Sequence, residues 1–197
     1  MERKGKAYVN RKDETRRPES DYYPTPKSLV WELDKLGILD KSVPIYEPAE
    51  GEGAITKALT ELGYTVSADD IRTTGKDFLE NTKEYPCIVT NPPFSYFDSF
   101  VEVAKECSPL VIMIAKTNFF GAYGRYKRGI WKGLRDVYIF NRQVDYRTPC
   151  RDDGLFHVGN LITGWFVWDR SWKEDYWRTK VVDVQNYAKL GGVKDGS

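Results

Sequence analysis

A short apolar run, Val43 to Tyr46, leads through Glu47-Pro48-Ala49-Glu50-Gly51-Glu52-Gly53 into a segment with Ile55, Ala58, Leu59 and Leu62 at helical spacing, and the segment stops at Gly63. A second apolar run, Tyr64 to Ala68, follows at once. Strand, glycine turn, helix, strand reads as a βαβ unit, which commits the chain to a parallel sheet because parallel neighbours need a crossover connection. Glycines in the first turn let a ligand approach the backbone, as in nucleotide sites at the carboxyl edge of such sheets. Asp69-Asp70-Ile71 ends the second run, and an acidic side chain at that tip can accept both hydroxyls of a ribose.

The remaining elements extend the pattern. Lys27 to Leu36 carries apolar residues at positions 29, 30, 33 and 36 and predicts a helix with Thr25 as N-cap and Pro26 in the first position. Its capped start would offer N–H groups to a carboxylate. Strands are predicted at Cys87–Val89, Leu110–Ala115, Val137–Phe140 and Ile162–Trp168, and a helix over Tyr96–Cys107. The last two strands are expected to form an antiparallel hairpin closing a mostly parallel sheet, with residues 21–180 as one domain, 1–20 as a flexible basic arm and 181–197 as a tail.

Thr90-Asn91-Pro92-Pro93-Phe94-Ser95 interrupts this regularity just after a strand. Consecutive prolines fix φ twice, remove two backbone donors and keep Asn91 out of the helical region, so the strand must end in a stiff turn. Such a turn can aim the Asn91 amide oxygen and the Pro92 carbonyl at one amino group, with the Phe94 ring beside it. An exocyclic amine such as that of adenine is a poor nucleophile because its lone pair is delocalised. Fixed acceptors would favour the pyramidal nitrogen that develops during attack, which is electrostatic preorganisation and needs no histidine.

Asn-Pro-Pro-Phe at positions 91–94 resembles the catalytic motif of amino-methyltransferases that use S-adenosylmethionine (SAM), and the whole chain most resembles the small phage-type adenine-N6 DNA methyltransferases. The resemblance runs over residues 22–97. It implies a Rossmann-like class I methyltransferase fold: a mostly parallel seven-stranded sheet with a C-terminal antiparallel hairpin and helices on both faces. It assigns Asn91, Pro92, Pro93 and Phe94 to catalysis, with Asn91 also beside the cofactor. Tyr23, Thr25 and Pro26 would meet the methionine end of SAM, and Glu47, Pro48, Gly51 and Gly53 would form its binding turn. Asp70 and Ile71 would serve the ribose, and Asp77 with Phe78 the adenine. Glu50 departs from the small residue usual in the turn. The same tetrapeptide serves enzymes acting on RNA bases or protein glutamines, and a non-catalytic protein binding SAM or nucleic acid is a further alternative.

Charge is distributed unevenly. Residues 27–119 carry a net −6 and residues 120–180 a net +5. The basic part includes the run Asn118 to Arg128, where aromatics, glycines and cations alternate, and Arg142, Arg147 and Arg151 in a long connection. Cations on phosphates with aromatics available to stack is how unpaired nucleic acid is held, so residues 117–160 are expected to contact the substrate. DNA is the expected partner, with RNA second. Three widely spaced cysteines and one histidine indicate neither a disulfide framework nor a metal site. No run approaches the ~20 apolar residues of a membrane span, and the polar first twenty residues lack a signal peptide's apolar core, so a cytoplasmic location is expected.

Overall fold

The computed structural model describes residues 24–146 and 157–184. The arm at 1–20, Tyr23, Arg147, Arg151 and the end of the tail therefore lie outside the described residues. Helix α1 spans Lys27–Lys35, and strand β1 (Ile45–Glu47) leads to α2 (Ala54–Glu61) and β2 (Val66–Ala68). Strand β3 (Cys87–Thr90), helix α3 (Phe97–Cys107) and strand β4 (Leu110–Lys116) follow, then α4 (Tyr123–Arg128) and β5 (Leu134–Phe140). Two short strands, β6 (Val144–Asp145) and β7 (His157–Val158), precede β8 (Thr163–Asp169) and β9 (Arg178–Val182).

Seven strands form one sheet in the order β2-β1-β3-β4-β8-β5-β9. The first four are parallel, β8 runs antiparallel to both β4 and β5, and β9 is parallel to β5. This is the mostly parallel α/β sheet with a C-terminal antiparallel pair expected from the sequence.

Alternation along the central strands sends side chains to two cores. Ile112, Ile114, Trp165 and Val167 pack with Leu29, Leu33, Ile55 and Leu59 of α1 and α2. Val111, Met113, Phe166 and Trp168 pack with Phe97, Phe100, Val101 and Ala104 of α3 on the other face. Both buried tryptophans in β8 use their polar atom: Trp165 Nε1 donates to Leu29 O at 2.9 Å and Trp168 Nε1 to Ile130 O at 2.9 Å. Each donation satisfies a group that would cost energy if buried alone.

Three features differ from the sequence reading. The seventh strand is β9, which crosses the boundary drawn at 180, and its last residue Val182 and Val184 beyond it are buried. Four of its five residues are exposed, so it has no apolar alternation and owes its form to pairing with β5 over its length. The connection expected to be irregular contains β6 and β7, paired with each other. Finally, Thr25 is not the cap of α1. Pro26 occupies that position without a side-chain cap, while the Thr25 hydroxyl is engaged elsewhere.

Among the described residues no helix is long and apolar enough to cross a membrane, and no cluster of three His, Cys, Asp or Glu could hold a metal ion.

Candidate active site at the carboxyl edge of the sheet

The adjacent parallel strands β2, β1, β3 and β4 end together, bringing Asp69 and Asp70, Glu47, Thr90 with Asn91, and Lys116 along one edge. The turn after β1 is shaped by Gly51 (φ 59°) and Gly53 (φ 80°), both in left-handed conformations that favour glycine. Gly53 caps α2, and the Glu50 N–H donates to Asp69 O at 3.1 Å, laying the turn across the end of β2.

Asp70 braces this turn. Its Oδ2 accepts from the Gly51 N–H at 3.0 Å, and its Oδ1 accepts from the Arg72 N–H at 2.8 Å and Arg72 Nε at 3.2 Å. Burial by itself would raise its pKa, but the Arg72 and Gly51 donors outweigh burial and hold the carboxyl below the ordinary range. Asp69 receives the Tyr46 hydroxyl at 3.2 Å and Lys76 Nζ at 2.8 Å. Both carboxylates at the β2 tip thus already have donors, and a ribose would share or displace them. Ile71 is half-buried beside them.

Glu47 is buried at the end of β1, with its Oε1 accepting from the Ala49 N–H at 3.0 Å and Pro48 buried between them. Burial pushes its carboxyl up to about 8, with the Thr90 hydroxyl and the Ala49 N–H drawing it partly back. Glu47 Oε2 and Thr90 Oγ1 are nevertheless both shielded from solvent and complete no hydrogen bond of normal geometry among the described residues. Buried polar atoms of this kind are costly.

Asn91 is half-buried, and its Nδ2 donates to Thr25 Oγ1 at 3.1 Å. With the nitrogen so used, the amide's acceptor is Oδ1, and Oδ1 is shielded from solvent. The Pro93 carbonyl accepts from the Tyr96 N–H at 2.9 Å, whereas the Pro92 carbonyl accepts no hydrogen bond among the described residues. The proline corner therefore uses one carbonyl to start a helical turn and leaves the other without a donor among the described residues.

The Phe94 ring is not an open platform. It is 6% exposed and meets Phe119 and Tyr146 in edge arrangements, with centroids 6.1 and 6.2 Å away. Lys116 Nζ sits 4.4 Å from the Phe94 centroid and 5.8 Å from that of Phe119. Asp77 caps a helical turn through the Leu79 N–H at 2.9 Å, and Phe78 is 4% exposed in the α3-side core, its ring centroid 5.1 Å from that of Phe100.

Lys116 and the Thr25 hydroxyl bond are contributions that the sequence reading did not identify, and Phe119 and Tyr146, inside the 117–160 region expected to contact substrate, were not placed beside Phe94. Lys116 carried a signal, as the cation that ends the apolar strand after Ala115. Tyr146, buried and bonded to Thr163 Oγ1 at 2.8 Å, carried none.

The chain matches no protein-family model and no curated protein sequence. Solved structures do resemble it. A protein from Pyrococcus horikoshii described as a candidate RNA methyltransferase superposes with TM-score 0.57 at 16% identity, over 78% of this chain and 88% of that one. The modification subunit of a candidate type I restriction enzyme from Vibrio vulnificus gives 0.56 at 13% identity, over 85% and 48%. The 23S rRNA methyltransferase ErmE gives 0.50 at 18% identity, over 77% and 70%. What the chain shares with them is their architecture, a Rossmann-like methyltransferase fold.

Proposed function

We propose that the protein is a SAM-dependent DNA methyltransferase acting on the exocyclic amine of adenine. The observation that carries this reading is the Asn91 amide at the end of β3, oriented by Thr25 and followed by a proline corner whose Pro92 carbonyl is uncommitted. The glycine turn, with buried Glu47 Oε2 and the Asp70 brace beside it, fits a cofactor bearing an amino group and a ribose.

SAM, when bound, supplies an electrophilic methyl on a sulfonium. Asn91 Oδ1 and the Pro92 carbonyl accept the two N–H groups of the target amine, stabilise the positive charge that grows on nitrogen, and hold the amine in line. Positioning of this kind contributes up to about 7–11 kcal/mol. Neither carbonyl is basic enough to retain the proton, which the amine releases to solvent after transfer. In a duplex the base must first be flipped out, at a cost of a few kcal/mol.

Lys116 then has to leave the Phe94 face. Its cation–π contact is worth about 0.5–2 kcal/mol. Base stacking contributes about 1–3 kcal/mol, so the exchange is close to balanced. RNA as substrate is the second reading, favoured by the similarity to ErmE.

The test is transfer of tritiated methyl to unmethylated DNA, with RNA and protein in parallel, followed by nucleoside analysis. N6-methyldeoxyadenosine is expected. Asn91→Ala should lose at least about 100-fold in kcat while cofactor affinity holds. Cofactor binding with no demethylated cofactor formed on any substrate would overturn the enzymatic reading.

A further inference from the structure

Helix α4 follows β4 and a helical turn, Thr117–Gly121, from the same edge that carries Asn91. It contains three cations and no acid. Residues 125 and 128 share one face of the helix, and 123, 126 and 127 share the opposite one.

The first face is an anchor. Arg125 Nε bonds Asp98 Oδ1 at 2.5 Å, and Arg128 bonds the other oxygen of the same carboxylate. The Arg125 guanidinium also lies 4.1 Å from the Phe119 centroid, and Phe119 packs against both Phe94 and Phe97. The helix is thereby fixed to the aromatic group around the proline corner.

The second face is largely exposed. Tyr123 is 73% and Tyr126 75% exposed, and neither ring makes a stacking contact or side-chain hydrogen bond among the described residues. Lys127 is exposed and forms no ion pair among them. A Cβ placed on Gly121 or Gly124 would meet no atom within 4 Å, so the surface beside the tyrosines is open. A shallow groove lined by Asp98, Ala122, Gly124, Arg125, Lys127 and Arg128 leads from the anchor to Lys127.

Flat aromatic faces next to a cation, with the Asp98 carboxylate bound by two arginines, suit a polyanion with exposed bases. We propose that α4 docks an unpaired stretch of the substrate nucleic acid, Tyr123 and Tyr126 stacking on bases and Lys127 meeting a phosphate. This rests on the nucleic-acid reading of the active site and assigns the surface that presents the strand to it. The anchor through Arg125 ties the docked strand to the aromatic group around Phe94.

The experiment is fluorescence anisotropy with the full chain and a labelled single-stranded DNA of about twelve nucleotides, the size one compact domain covers. Tyr123→Ala with Tyr126→Ala is expected to weaken binding about tenfold or more, while the double Phe variant stays close to wild type because stacking needs the ring and not the hydroxyl. Lys127→Ala should reduce the slope of log K against log salt by about 0.7. Calorimetry with S-adenosylhomocysteine should give the same affinity for every variant, which establishes that the fold and the cofactor site are intact. If the double Ala variant binds the strand as tightly as wild type, the α4 assignment is wrong and the methyltransferase reading survives. If wild type binds S-adenosylhomocysteine but no strand of DNA or RNA, the nucleic-acid reading and the α4 assignment both fall.

Discussion

Glu47→Gln is the perturbation for which the structure gives a signed, quantitative expectation. The Glu47 carboxyl is raised from an ordinary 4.5 to about 8 by burial. Below pH 4.5 the acid is protonated whether the chain is folded or not, and its contribution to stability is fully present. Between 4.5 and 8 the unfolded chain releases the proton while the folded chain keeps it, so stability falls as pH rises. Above about 8 both forms ionise and the loss is complete. At 1.36 kcal/mol per pH unit this separation amounts to at most about 5 kcal/mol. Glutamine has the same shape, can still accept the Ala49 N–H and can donate to the buried Thr90 oxygen, but does not titrate. Urea unfolding of both proteins from about pH 5 to 8.5 isolates the effect, because every other titrating group cancels in the difference. The two should have similar stability at the acid end, with the variant more stable by several kcal/mol at the alkaline end. Parallel curves over the whole range would refute a buried, raised Glu47.

Other changes test the packing and the pocket. Lys116→Met keeps the volume over Phe94 and removes the cation, so KM for the nucleic acid should fall by up to about tenfold with cofactor affinity unchanged. A rise in KM would show that Lys116 helps the base rather than blocks it. Gly164→Ala would place a Cβ 2.3 Å from the Tyr138 carbonyl oxygen in the middle of the β5–β8 pairing, and should cost about 3 kcal/mol or prevent folding, as seen by thermal unfolding. Trp165→Phe removes the indole donor to the Leu29 carbonyl, which keeps its helical partner, and opens space in the core, so it should cost about 1–3 kcal/mol in urea titration, with little change in secondary structure by circular dichroism.

The parallel half of the sheet was legible because each element announced itself locally. Glycines ended the helix at Gly63 and shaped the turn at Gly51 and Gly53, and strands such as Leu110–Lys116 are apolar enough to be read singly. Strand β9 was not legible, since Arg178 to Val181 are exposed and take their form from β5. At the site, the sequence located Asn91 and the proline corner but could not show how side chains from distant segments meet there. The Asn91–Thr25 bond spans 66 positions, and the placement of Lys116 over Phe94 depends on how β3 and β4 register. The expectation that Thr25 caps α1 failed for the same reason: a local rule competed with a partner that only the fold brings near.

That bond decides something finer than position. A carboxamide turned half-way about its last side-chain torsion keeps its outline and trades a lone pair for two hydrogens, so an amine arriving there would be repelled instead of welcomed. With Thr25 Oγ1 accepting from Nδ2, the oxygen of the amide is turned to the other side. A Val at position 25 would preserve the contour while removing the hydroxyl that accepts from Asn91.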